Sequence, residues 1–201
     1  MLPDDIGYTG TARRVLEVAT GLFAQRGFYG TSMRDIAEAV GVRPASIYEH
    51  FPSKDHILTA VLTIGHERIH DALDAAVTEA GDDPHAQVRA AVTTLVVQLC
   101  AWPELARTVN SEMRALLPEH ATRPTEARDR VSLTLAEIMH RGVEQGVFVD
   151  RNLVVLVASI GGICIRAPYW FEPSDGYAAA DLARDYGDLA IAMLTAPIAD
   201  R

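Results

Sequence analysis

The amino-acid sequence predicts an all-α fold of about nine helices, on three observations. Apolar side chains recur at helical spacing along most of the 201 residues. No run alternates apolar and polar residues as a half-buried strand would. Glycine, proline and capping residues break the chain at intervals that suit helices. This punctuation divides it into an N-terminal three-helix domain over residues 1–53 and a larger helical domain over residues 54–201.

The first helix is expected from Thr11 to Gln25, with Val15, Val18, Ala19, Leu22 and Phe23 as its apolar stripe and Gly27 as its stop. The second covers Met33 to Val40. Ser32 followed by Asp35 makes a capping box, and Gly41 ends the helix. Pro44 suits a first helical turn and opens a short third helix that ends near His50. Ser53 caps a long fourth helix, with Asp55 in its first turn. Gly81-Asp82-Asp83-Pro84 and Trp102-Pro103 each break the chain and start another helix. Leu117 to Thr125 holds two prolines and reads as a loop. A helix from about Glu126 to Gln145 ends at Gly146. Asp150 or Asn152 caps the next, to about Tyr169. Phe171 to Gly176 is a second loop, and the last helix spans about Ala178 to Leu194. No internal repeat is visible.

Hydrophobic residues make up 49% and charged residues 22%, the balance of a globular chain rather than a disordered one. Cys100 and Cys164 stand far apart in apolar surroundings, so two buried thiols in a reducing compartment are expected. The first ten residues are too polar for a secretory leader. The longest apolar stretch, Leu153 to Ile165, contains Ser159, Gly161 and Gly162, ends at Arg166, and falls short of the roughly 18 residues of a membrane helix. A buried core or interface helix, and a cytoplasmic protein with no membrane partner, are the expectation.

The net charge of −9 argues at first sight against nucleic acid. Its distribution softens that argument. Residues 1–60 hold six Lys and Arg against seven Asp and Glu, so the acidic excess lies almost wholly beyond them. Cations aimed one way can still meet phosphates.

The informative segment is Thr31 to Lys54, TSMRDIAEAVGVRPASIYEHFPSK. Ala37 is small where two crossed helices would touch, and Gly41 stands where a sharp turn needs positive φ. Ile47 sits where the second helix would pack back on the first, and Ile36, Val40 and Val42 complete a small core. These are the requirements of a helix-turn-helix, whose second helix enters the major groove.

The segment resembles the DNA-binding domain of the TetR family. The resemblance rests on Thr31-Ser32-Met33-Arg34-Asp35-Ile36-Ala37, on Gly41-Val42, and on Ile47-Tyr48-Glu49-His50-Phe51-Pro52-Ser53-Lys54. Phe23-Ala24-Gln25-Arg26-Gly27-Phe28 is similar to that family's first-helix exit, so the likeness covers about residues 9–60. One position departs: the hydroxyl residue common before the recognition helix is Arg43 here, followed by Pro44.

The resemblance implies double-stranded operator DNA as partner. Thr31, Tyr48, His50 and Lys54 then flank the groove-entering helix as phosphate-binding residues, and Ser32 and Pro44 are further DNA-binding candidates. Arg43, Ala45 and Ser46 face base edges, where Arg can bind guanine through two hydrogen bonds and Ala can touch only a thymine methyl. Phe51 reads as core. The plainer reading of Tyr48 and His50 is that they cap and pack the domain.

His66-Glu67-Arg68-Ile69-His70 fits the HExxH pattern of zinc peptidases. Such enzymes also need a third ligand and pair the helix with a sheet. Ordinary polar residues on the fourth helix are the better reading, and no metal, cofactor or catalytic residue is expected. Gly161-Gly162 lacks a preceding strand and reads as a close helix contact.

For the C-terminal domain, the resemblance implies a homodimer through the last two helices and a pocket for a small-molecule effector. Leu182, Tyr186, Leu189, Ala190 and Met193 give the last helix an apolar stripe that needs a partner. Trp102, Met113, Leu117, Phe148, Arg166, Tyr169 and Trp170 are the candidate ligand residues, combining large apolar area with a cation. The plainer reading, and the stronger one, is that these aromatics are core or dimer contacts. Tyr169-Trp170-Phe171-Glu172-Pro173 is similar to a segment in regulators some of which respond to acyl-CoA thioesters. The implied function is a repressor released from its operator by a small hydrophobic or amphipathic ligand, an acyl-CoA-like anion among them.

Overall fold

The computed structural model describes residues 2–4, 6–174 and 176–197. Among these it contains nine α-helices and a single isolated bridge, Ser174 with Tyr177, in place of any strand. The chain folds as two compact units. The first comprises residues up to 67 together with 102–127, and the second comprises 68–101 and 128 onward. The first unit thus reaches past the domain end expected at residue 53.

In the first unit, α1 (Gly10–Arg26) buries Val15, Leu16, Ala19, Thr20 and Phe23. Val18 and Leu22, expected in the stripe, only flank the core, and Leu16 lies at its centre. The helix stops at Gly27, whose φ of 72° suits a residue without Cβ. α2 (Met33–Val40) crosses it, and α3 (Pro44–Tyr48) follows, ending two residues before the expected His50. The leading part of α4 (Lys54–Glu79) adds Ile57, Leu58, Val61 and Leu62 to the same core. The Ser53 hydroxyl accepts the His56 N–H at 3.4 Å at the start of that helix.

The return segment explains why this unit extends beyond residue 53. α6 (Pro103–Ser111) opens on Pro103 and packs along α1. The Thr108 hydroxyl donates to the Thr20 carbonyl at 3.1 Å. A short 3-10 helix over Glu112–Ala115 follows, and the Glu112 carboxylate accepts the Phe28 N–H at 3.2 Å.

The loop expected over Leu117–Thr125 is helix. α7 runs from Pro118 to Glu144. Pro118 occupies the first position, where its missing N–H costs nothing. Pro124 lies inside the helix and loses one backbone bond, yet its ring is buried beside the equally buried Ala127.

In the second unit, α5 (Pro84–Ala101) packs against α8 (Leu153–Trp170) and α9 (Ala179–Thr195). Val88, Ala91, Val92, Leu95 and Val96 meet Leu156, Ile160 and Cys164 of α8 and Leu182, Ala183, Gly187, Ala190 and Leu194 of α9 in its buried core. Asn152 caps α8, its side chain accepting from the N–H groups of Val154 and Val155. Asp181 accepts the Ala178 N–H at 2.8 Å to open α9. Arg151 closes α9, donating to the Ala196 and Pro197 carbonyls. Burial pushes the Cys164 thiol up to about 12, whereas Cys100 is only half-buried, not enclosed as expected.

α8 is longer than the apolar run read from the sequence. It continues through Arg166 and Pro168 to 18 residues with mean hydropathy 1.7, and by length and composition alone it could cross a membrane. It holds a small buried row, Leu156, Ile160, Cys164 and Ala167, and an apolar outer face on which Val154 is 78% exposed.

Candidate nucleic-acid interface

The scaffold of α2 and α3 is fixed by local chemistry. The Ser32 hydroxyl accepts the Asp35 N–H at 3.1 Å, and the Asp35 carboxylate accepts the Ser32 N–H at 2.8 Å. The bond donated by the Ser32 hydroxyl, followed by that from the Ser32 N–H, holds the Asp35 carboxyl below the usual carboxylate range. At the other end Gly41 turns with φ 78°, donating to Ala37 and Glu38, while Val42 donates back to Ala37. Arg14 of α1 donates to the Val40 carbonyl at 2.6 Å, satisfying another free group at the helix end.

The turn places α3 with one residue inward and the rest outward. Ile47 is fully buried and Phe51 nearly so, while Arg43, Pro44, Ala45, Tyr48, Glu49 and His50 are exposed and Ser46 is half-buried. Arg43 precedes the helix in extended conformation and offers no side-chain cap, so its guanidinium is free of the helix it introduces. The base-facing candidates Arg43, Ala45 and Ser46, the DNA-binding candidate Pro44 and the phosphate candidates Tyr48 and His50 therefore lie together along one short segment.

Two phosphate candidates serve the turn before α2. The Thr31 side chain is 2% exposed, and its hydroxyl donates to the Gly27 carbonyl at 3.0 Å. The Lys54 ammonium donates to the Phe28 and Thr31 carbonyls at 2.7 and 2.6 Å and sits 4.1 Å over the Phe28 ring. Ser32 is exposed but its hydroxyl is committed to the cap.

Two exposed residues escaped the sequence reading. Tyr29, in the same turn, is 82% exposed, and Arg34 stands outward on the first turn of α2. The signal for Tyr29 was its place between Gly27 and Gly30: a Cβ on Gly30 would meet the Arg26 carbonyl oxygen at 2.2 Å, so the tight turn requires glycine and presents the ring.

The remaining candidates divide between the units. In the first, Trp102 and Met113 pack on the core and Leu117 is exposed. In the second, Phe148 is buried with its ring against Gly142 and edge-on to His85 at 4.9 Å. Arg166 lies 4.5 Å over the Tyr169 ring, and Trp170 is 57% exposed beside Phe171. His66 of the HExxH pattern is buried in α4, and no group of three or more His, Cys, Asp and Glu converges among the described residues.

A capped scaffold helix, a left-handed glycine turn and an outward-facing short helix define a helix-turn-helix DNA-binding protein. The comparisons with known proteins agree. Residues 15–61 match the family described as bacterial regulatory proteins, tetR family, and residues 81–194 match the tetracyclin repressor-like C-terminal domain. The HTH-type transcriptional repressor KstR2 of Rhodococcus jostii is 26% identical over 199 residues, 96% of each chain. A tetR-family regulatory protein from Rhodococcus RHA1 superposes with TM-score 0.85 at 24% identity, over 95% of this chain and 100% of that one. AibR, crystallised with isovaleryl coenzyme A and operator DNA, gives TM-score 0.79 at 24% identity, over 94% and 100% of the chains. The chain belongs to the TetR family and is a DNA-binding transcriptional regulator.

Proposed function

We propose that this regulator is a cytoplasmic repressor whose homodimer sets two copies of α3 in successive major grooves of a pseudo-palindromic operator. The observation that carries the reading is the division of α3: Ile47 fully buried, Arg43, Pro44, Ala45 and Tyr48 outward. Arg43 reads a guanine, Ala45 and Ser46 sense neighbouring base edges, and Tyr48, His50 and Tyr29 hold phosphates. Selection of bound DNA from a random pool at two salt concentrations tests this. A two-fold symmetric consensus is expected. Arg43→Ala should weaken operator binding about tenfold or more and relax preference at one base pair in each half-site. Salt-sensitive binding with no preferred sequence would refute it.

The homodimer is supported by the outer faces of α8 and α9. Val154, Val155, Ile165 and Leu189 are exposed apolar side chains there, more than a solitary chain hides well. The effector we propose is an amphipathic anion of the acyl-coenzyme A class, the class AibR was crystallised with. In this chain the aromatic end of α8 supplies a cation, Arg166, stacked on Tyr169. Isovaleryl coenzyme A is the first probe. It should raise the melting temperature and weaken operator retention, and a panel of acyl thioesters that does neither would remove the effector assignment.

A further inference from the structure

The first unit brings together two imidazoles from separate helices, and no part of the DNA-reading face uses either. His56 stands in the first turn of α4 and His120 in the first turn of α7, and their ring centres are 4.7 Å apart with planes at 61°. We propose that His56 and His120 form a two-imidazole site for a divalent transition-metal ion, with zinc the reference ion, joining the first turns of these two helices.

The separation fits one shared ion. A zinc–nitrogen bond of about 2.0–2.1 Å puts each ring centre about 3.1 Å from the metal, and two ligands at about 90–110° then hold their ring centres about 4.4–5.1 Å apart. The observed 4.7 Å falls inside that window. A second observation concerns the tautomer. The Ser53 hydroxyl lies 2.9 Å from His56 Nδ1, and its own proton has the Asp55 carboxylate at 3.5 Å. With the hydroxyl turned to Asp55, Ser53 accepts the Nδ1–H and leaves the Nε2 lone pair of His56 unprotonated. An outer oxygen on one imidazole nitrogen, orienting the other, is the usual support of a metal-bound histidine. His56 is exposed and His120 half-buried, so an ion has access. No third histidine, cysteine or carboxylate joins them among the described residues, so water completes the coordination, and imidazole with water suits Zn²⁺, Ni²⁺ and Cu²⁺.

The test uses the untagged full chain. Zinc titration by calorimetry should show one ion per chain, with a higher melting temperature in zinc. His56→Gln and His120→Gln should each weaken binding at least about tenfold, and Ser53→Ala about tenfold, as loss of an outer partner does. His140→Gln, an exposed histidine of the second unit, should change nothing. Melting curves without zinc confirm that each variant is folded, and His56→Ala and His120→Ala repeat the test for any that is not. Absence of saturable zinc binding, or binding that survives either histidine substitution in a folded variant, overturns the site.

Discussion

The Asp35 carboxylate accepts two hydrogen bonds from Ser32, one from its hydroxyl and one from its N–H, and each favours the ionised form. Its acidity in the folded state is therefore stronger than in the unfolded chain. The stabilisation is present in full above the ordinary carboxylate range and is lost as pH falls through the lowered folded value. Asp35→Asn should consequently melt below the parent at neutral pH, and the gap should close in acid; a gap constant with pH would contradict the cap. Ser32→Ala removes the same cap and should cost about 1 kcal/mol. Lys54 separates two roles that the sequence alone could not. Its ammonium holds the Phe28 and Thr31 carbonyls, so Lys54→Met should lower the melting temperature yet leave the salt slope of operator binding unchanged. A slope reduced by about one for each half-site would instead mark Lys54 as a phosphate ligand.

At the scale of elements, legibility followed the range of the physics. The helix-turn-helix could be read because its determinants are local: Ser32 with Asp35, the left-handed Gly41, and Ile47 one face away from Tyr48. The start of α7 could not, because Pro118 and Pro124 look like breaks until burial of Pro124 and Ala127 is known. The spacing in the last helix predicts one stripe, although the helix carries two. Leu182 and Ala190 face inward, while Leu189 is 53% exposed. The candidate ligand residues, chosen for size and charge, are placed by long-range packing that spacing does not encode. Packing also fixes the end of α7. Gly142 lies under the Phe148 ring, where a Cβ would stand 2.0 Å from the nearest ring carbon. Phe148 N–H also returns to the Gly142 carbonyl at 3.0 Å, so the ring cannot simply withdraw. Gly142→Ala should destabilise the chain by about 1–3 kcal/mol despite its better helix propensity, and Phe148→Leu in the same chain should recover part of that loss. Denaturant unfolding of the single and double variants measures both.

For the molecule as a whole, the acidic excess lies beyond residue 60, so the proposed dimer would draw its affinity for DNA from a small set of contacts used twice. Two linked reading heads bind far more tightly than one, because the second engages at high effective concentration, a gain of about 10²–10⁴. The proposed pairing through α8 and α9 can therefore be tested apart from DNA recognition itself. Val154 and Leu189 are 78% and 53% exposed in the single chain, so glutamates there disturb little of its own core. In a paired face the same charges would be buried without partners, which association does not tolerate. The Val154→Glu, Leu189→Glu double variant should have monomer mass by light scattering at a melting temperature close to that of a monomeric chain. Its affinity for a single half-site should be unchanged, while the advantage of the full palindrome over the half-site disappears. A variant that stays dimeric with full palindrome affinity would show that the chains pair elsewhere. A monomer that still prefers the palindrome would show that the two heads meet only on DNA.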